Sequence, residues 1–182
     1  MKHIYTFLCL LLLSGVGQVD AFSEADLEKL KSTNECNKCD FSGANLGGAR
    51  LRGANLAEAN LTNAYLTGAN LYKANLEVVN LTGANLTGAN LTGANLEDTN
   101  LQEASLAGVD LTKAYLEATD LTGANLTMAN LTGTVLEGTN LENADLTDAV
   151  LTDAKLMWVK NLNKAILCRT TMPDGTVNNS GC

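Results

Sequence analysis

The chain has 182 residues, a formal net charge of −8, 4% aromatic residues, one Pro and five Cys. That length suits one domain, the 46% hydrophobic fraction argues against intrinsic disorder, and 20 Asp+Glu against 12 Lys+Arg oppose the basic surface that nucleic-acid binding uses. The one histidine, His3, falls in a segment expected to be removed, which sets aside most histidine-based catalysis and metal ligation.

The chain opens as an export signal. Lys2 and His3 precede a mostly apolar run from Ile4 to Leu13, and Val19-Asp20-Ala21 places small residues three and one positions before a cut. Residues 1–21 are therefore expected to be a signal peptide, with Phe22 the mature N-terminus. The apolar run is too short to span a bilayer, so no membrane span is expected after cleavage. Cys9 leaves with it and lacks the small-residue setting of a lipidated cysteine.

Four cysteines remain, Cys36, Cys39, Cys168 and Cys182, and in an exported chain they point to two disulfides. Cys36-Asn37-Lys38-Cys39 also admits a zinc or a redox reading. Zinc wants four ligands, commonly from two such pairs, and only one close pair exists. No alternation of strands and helices surrounds the pair as in a thioredoxin, so a structural bond is the reading taken.

Residues 22–34 read as a helix. Ser23 is the N-cap, with Asp26 three residues later as a weak capping box, and Phe22 and Leu27 occupy the staple positions. Leu27 and Leu30 share a face. Glu24, Asp26 and Glu28 suit the positive end of the helix dipole.

From there the chain repeats every five residues. Phe41 and then Leu46, Leu51 and so on to Leu156 make 24 centres, 23 of them Leu. Two positions before the centre stands Ala in 17 repeats, the others being Cys39, Val79, Thr99, Val109, Thr119, Thr134 and Thr139. Asn or Asp commonly precedes the centre. A five-residue step rotates the Leu by roughly 140° on an α-helix, so no helical face collects them. On a flat strand they would alternate between faces. A chain that turns a corner at each repeat points every Leu inward, and stacked coils then bury them, which makes an all-β solenoid.

Ala44-Asn45-Leu46-Gly47-Gly48, Ala84-Asn85-Leu86-Thr87-Gly88 and Ala129-Asn130-Leu131-Thr132-Gly133 resemble the units of pentapeptide-repeat proteins. The resemblance covers residues 39–158. It implies a right-handed quadrilateral β-helix of about six coils, four repeats to a coil, with the centre and the small residue before it inside. Cys36 to Phe41 and Leu167 to Gly175 are similar to the caps of exported bacterial members. On that reading residues 22–38 form an N-terminal capping helix with its Cys-x-x-Cys, and residues 159–182 a C-terminal cap. Asn161 occupies the next centre, and Leu162 and Leu167 resume the spacing one residue late, a slip expected to end the regular coil. Six coils at about 4.8 Å each stand roughly 29 Å tall. That implied height keeps Cys36 and Cys39 from reaching Cys168 and Cys182, so the pairs expected are Cys36–Cys39 and Cys168–Cys182.

On the implied architecture, residues 20 apart share a face. One face carries Glu58, Glu77, Glu97, Asp98, Glu117 and Glu137, four of them in a single column. The adjacent face carries Arg50, Arg52, Lys73 and Lys113. A third, bearing Gly47, Gly48, Gly68, Gly88 and Gly108, is flat and nearly uncharged. Tyr65, Tyr72 and Tyr115 point outward from different faces. Six Asn-Leu-Thr sequons, the first at Asn60, arise from the repeat itself.

Nothing supplies a catalytic triad or a phosphate-binding Gly loop. The expectation is an exported, periplasmic or secreted, non-enzymatic protein without a cofactor, a scaffold for another protein or an envelope component. The alternatives are charge mimicry of DNA against a nucleic-acid enzyme, as in some family members, and cation binding along the Glu column.

Overall fold

The structure, a computed structural model, describes residues 22–182; the expected signal segment, residues 1–21, lies outside them. The chain winds so that each residue preceding a centre bridges, in parallel, the residue 20 further on. The ladder runs from Glu35↔Asn55 to Asn140↔Lys160.

One bond and one backbone angle build each repeat. The carbonyl of the centre accepts from the N–H three residues on, as Leu46 does from Ala49 at 3.0 Å, closing a turn. The second residue after the centre then takes a left-handed backbone in all 24 repeats, with φ between 53° and 70°, as a type II turn requires at that position. Glycine takes this conformation freely. Glu58, Lys73, Val78, Met128 and Trp158 adopt it nonetheless, with φ of 53° to 59°.

Coils are joined by backbone bonds. Leu46 N donates to Tyr65 O at 2.7 Å, Gly48 N to Thr67 O at 2.9 Å, and Tyr65 N to Ala44 O at 2.9 Å, and the pattern recurs along the chain. The Asn or Asp before the centre closes the corner, as where Asn95 Oδ1 accepts from Glu97 N at 3.0 Å. Its side chain thus satisfies a backbone donor that the ladder leaves over.

The interior follows from the period. The centres from Phe41 to Leu151 are buried, and so are the Ala residues two before them except Ala49, which is half-buried. Thr99, Thr119, Thr134 and Thr139 are buried too, and each hydroxyl donates to the carbonyl of a centre 23 residues earlier, at 2.6 to 2.9 Å. The hydroxyl is thereby satisfied where no water reaches.

At the N-terminal end lies helix α1, Glu24–Thr33. Ser23 caps it by accepting from Asp26 N, and Asn34 ends it in a left-handed conformation at φ 61°. The capping box does not close. Asp26 sends its carboxylate to Asp40 N at 2.9 Å, and Ser23 N donates to Asp40 O, so both tie the helix to the first coil. Leu30 is buried, with Phe22 and Leu27 packed against the same core. Cys36 N donates to Asn55 O, which seats Cys36 as a centre directly before Leu56 in its column. It is bonded to Cys39.

The regular 20-residue register ends at Asn161, where the sequence places the slip, but the pairing continues past it. Asn161 takes φ 58° and absorbs one extra residue. The ladder then resumes at an offset of 21, with Asp145↔Ile166 and Val150↔Thr171. After the 3₁₀ turn Leu162–Lys164, strands β1 (Thr170–Thr171) and β2 (Val177–Asn178) pair antiparallel. Cys168 is bonded to Cys182. Arg169 grips Asp148 through two 2.6 Å bonds, holding that carboxyl below its ordinary range and its own guanidinium above. No helix among the described residues is long and apolar enough to cross a membrane.

Candidate interaction faces

The 20-residue register sorts the outer side chains into columns. The face built on Leu56, Leu76, Leu96, Leu116 and Leu136 places Glu77, Glu97, Glu117 and Glu137 in successive coils. Glu77 is exposed and the other three half-buried. Burial pushes the Glu97 carboxyl above its ordinary range, and the neighbouring Glu117, Glu77 and Asp98 push it the same way. Glu117 Oε2 has neither solvent nor a hydrogen-bond partner. Glu58, beside the column, pairs with Lys38 at 3.3 Å. Among the described residues none of the four column carboxylates has an ion pair.

The register puts Arg50, Arg52, Lys73 and Lys113 together on the Leu51 face. Tyr72 organises one end of it. The Arg52 guanidinium lies 4.1 Å from its ring centre and the Lys73 ammonium 5.4 Å, an arrangement that holds cations over a π face. The lysines alternate with glycine along their column. A Cβ added to Gly93 would meet Lys73 Cγ at 3.4 Å, and one on Gly133 would meet Lys113 Cγ at 3.5 Å. Each Lys stem thus lies along the next coil in the space its glycine leaves.

The Leu46 face keeps Gly48, Gly68, Gly88 and Gly108 with open space beyond each. Tyr65 and Tyr115 are exposed on different faces. At the N-terminal end, ligand atoms of Asp26, Cys36 and Cys39 lie within 4.8 Å of one another. The two sulfurs are bonded to each other, so the set does not offer the free thiolates a zinc site takes. Asp26 joins this group only through the fold.

Two features escape the repeat pattern. The C-terminal edge exposes Met157 and Trp158, Trp158 at 76%. Beside them opens a hollow of about 460 Å³ lined by Val159, Leu162, Leu167 and Met172 among others. The signal available in the sequence is Trp158 itself, the one Trp of the chain, at a position otherwise mostly Gly or polar.

A profile described as pentapeptide repeats matches the chain in eight copies, covering residues 39–77, 59–98, 80–117, 89–127, 99–138 and 124–160. No curated protein matches. Among solved structures, HetL, a pentapeptide repeat protein involved in heterocyst differentiation regulation in the cyanobacterium Nostoc sp. strain PCC 7120, is 32% identical over 79% of this chain and 76% of its own, with a TM-score of 0.43. A trypsin-treated form of QnrB1, a plasmid-mediated fluoroquinolone resistance protein, is 22% identical over 69% of this chain and 80% of its own, with a TM-score of 0.52. A pentapeptide repeat protein of the Arabidopsis thaliana thylakoid lumen is 31% identical over 68% and 72%, with a TM-score of 0.32.

Proposed function

The chain belongs to the pentapeptide-repeat family, whose fold is a right-handed quadrilateral β-helix, and on that footing we propose that it is an exported, non-enzymatic scaffold that binds another protein or an envelope component through its outer faces. The interior carries Leu, Ala and hydrogen-bonded Thr, which supply neither an activated nucleophile nor a general base. What chemistry the molecule offers therefore sits outside. The helix α1 and the disulfide-tied tail act as caps in this reading, because open solenoid ends invite edge-to-edge pairing. Two disulfides suit an oxidising compartment, periplasmic or extracellular.

The observation that carries the proposal is the column of Glu77, Glu97, Glu117 and Glu137, aligned in successive coils and without ion pairs among the described residues. Such a row fits a basic partner surface, which gains steering and register from it. Mimicry of duplex DNA fits less well, since the column offers one charge per about 4.8 Å of axis against about 1.7 Å in DNA.

The test is affinity capture from periplasmic and secreted fractions, using the wild-type chain and a variant with all four column residues changed to Gln. A partner held by the wild type and lost by an equally stable variant is the expected result. Equal capture by both, or mature protein residing in the cytoplasm, overturns the reading. Repeating the capture with millimolar calcium shows whether a divalent cation competes for the same carboxylates.

A further inference from the structure

The ladder stops on one side of the C-terminal end with its bonding groups unused. In the preceding coil, Leu136 N donates to Lys155 O and Gly138 N to Met157 O, while Thr134 O accepts from Lys155 N. One coil on, the equivalent groups are Leu156 N, Trp158 N and Ala154 O. None of the three has a hydrogen-bond partner among the described residues.

Elsewhere at this end the tail does the covering. Leu167 N donates to Ser180 O, Arg169 N to Asn179 Oδ1, and Met172 N to Thr176 O. The exposed edge is thus a specific gap between Ala154 and Lys160. It is flanked by the exposed Met157 and Trp158 side chains, and Val159 leads into the hollow, where Leu162, Leu167 and Met172 share the lining with Asn and Ser residues. Lys155 and Lys160 are exposed there, with no carboxylate at ion-pair distance among the described residues.

We propose that the Ala154–Lys160 edge is a docking site for an extended, acidic segment of another protein, which adds one strand to the ladder and seats an apolar side chain in the hollow. The alternating donors and acceptor call for an extended backbone, the basis of strand addition at a sheet edge. The lysines select acidic residues on the incoming strand. A second copy of this chain presenting the same edge suits the site poorly. Antiparallel pairing about Lys155 would match Leu156 N–H with the other copy's Ala154 O, but it sets Lys155 directly against its own counterpart, and like charges directly opposite are destabilising. The proposal rests on the scaffold reading only in taking the partner to be a protein. It concerns a different surface from the Glu column, so either test fails without the other.

The probe is a blocked peptide, Glu-Thr-Leu-Thr-Val-Glu, titrated into the full oxidised chain and followed by amide NMR and Trp158 fluorescence. Saturation is expected to shift the Leu156 and Trp158 amides and slow their hydrogen exchange at least tenfold. A peptide with both Glu changed to Lys is expected to bind at least tenfold more weakly. The Lys155→Glu/Lys160→Glu variant, checked by thermal melting, should reverse that preference. Absence of binding at millimolar peptide, binding without protection of those two amides, or equal binding of both peptides overturns the proposal. So does a free chain that sediments as a dimer with the two amides already protected.

Discussion

Thr119 donates its hydroxyl to the carbonyl oxygen of Leu96 at 2.7 Å, inside the coil stack. The same carbonyl already accepts from Thr99 N at 3.2 Å, so the hydroxyl is a second bond to a group with two lone pairs. The column also contains Val79, which packs there without a hydroxyl. Thr119→Val therefore keeps shape and leaves no orphaned partner, and a cost of about 0.5–1.5 kcal/mol in urea unfolding is expected. Leu91, fully buried, is the contrast. Leu91→Ala should cost about 2–5 kcal/mol, and Leu91→Asp should give no cooperative transition, because the charge has no partner inside. A soluble, cooperatively melting Leu91→Asp protein would contradict the interior assignment.

The interior was legible because every repeat states it again. Leu centres and the Ala two before them carry a period of five that neither helix nor flat strand accommodates. Thr99, Thr119 and Thr139 read only as exceptions of suitable size. Their acceptors lie 23 residues away, and no local pattern points there. The same limit explains Asp26. Its spacing from Ser23 suggested a reciprocal cap, yet Asp40 N, 14 residues on, takes its carboxylate. The columns of charge followed from the register once four repeats made a coil. The bare C-terminal edge did not. Ala154 to Trp158 reads as one more repeat, and only the path of the tail over the neighbouring faces leaves its Leu156 and Trp158 amides without partners among the described residues.

Left-handed backbone at Val78 makes a second prediction. Val78 sits at φ 59° and is half exposed, so its β-branched side chain bears the steric cost without burial in return. Val78→Gly removes that cost and adds some unfolded-state entropy. A net stabilisation of about 0.5–1 kcal/mol is expected in urea unfolding. The reciprocal change, Gly88→Val, should destabilise although a Cβ there meets nothing within 4 Å, because φ is 64°. If Gly88→Val were neutral, the left-handed requirement of the repeat would be wrong.

Glu97 and Asp120 should respond to pH in opposite senses. Burial and then Glu117, Glu77 and Asp98 raise the Glu97 carboxyl in the folded chain. The folded state then holds that proton more tightly, so stability from this group is fullest below the ordinary carboxylate range and is lost as pH rises through the raised value. Glu97→Gln is expected to melt higher than wild type at pH 7, with the difference closing in acid. Burial also acts to raise Asp120, but the Thr122 hydroxyl and N–H, Gln102 and Asn140 outweigh it and leave the carboxyl lowered. Its contribution is present above the ordinary range and is lost as pH falls through the depressed value. Asp120→Asn should therefore melt lower than wild type at pH 7, and the gap should shrink in acid. Parallel melting curves for the two variants across pH would refute the assignment.

The bond between Cys168 and Cys182 should act locally. It closes a sequence separation of 14, a loop for which chain entropy predicts about 3 kcal/mol. The tail it holds covers Leu167 N, through Ser180 O, and Met172 N, through Thr176 O. A solenoid shares stability mainly between neighbouring coils, so the tail can open while the middle coils stay closed. Cys182→Ser is expected to speed amide exchange at Leu167 and Met172 by about 10²-fold, which corresponds to roughly 2.7 kcal/mol, and to leave Leu86 and Leu91 unchanged. Exchange read residue by residue separates this from a general loss of stability. If Leu86 and Leu91 accelerated with the tail, the cap would be part of one cooperative unit with the coils rather than a locally fastened cover.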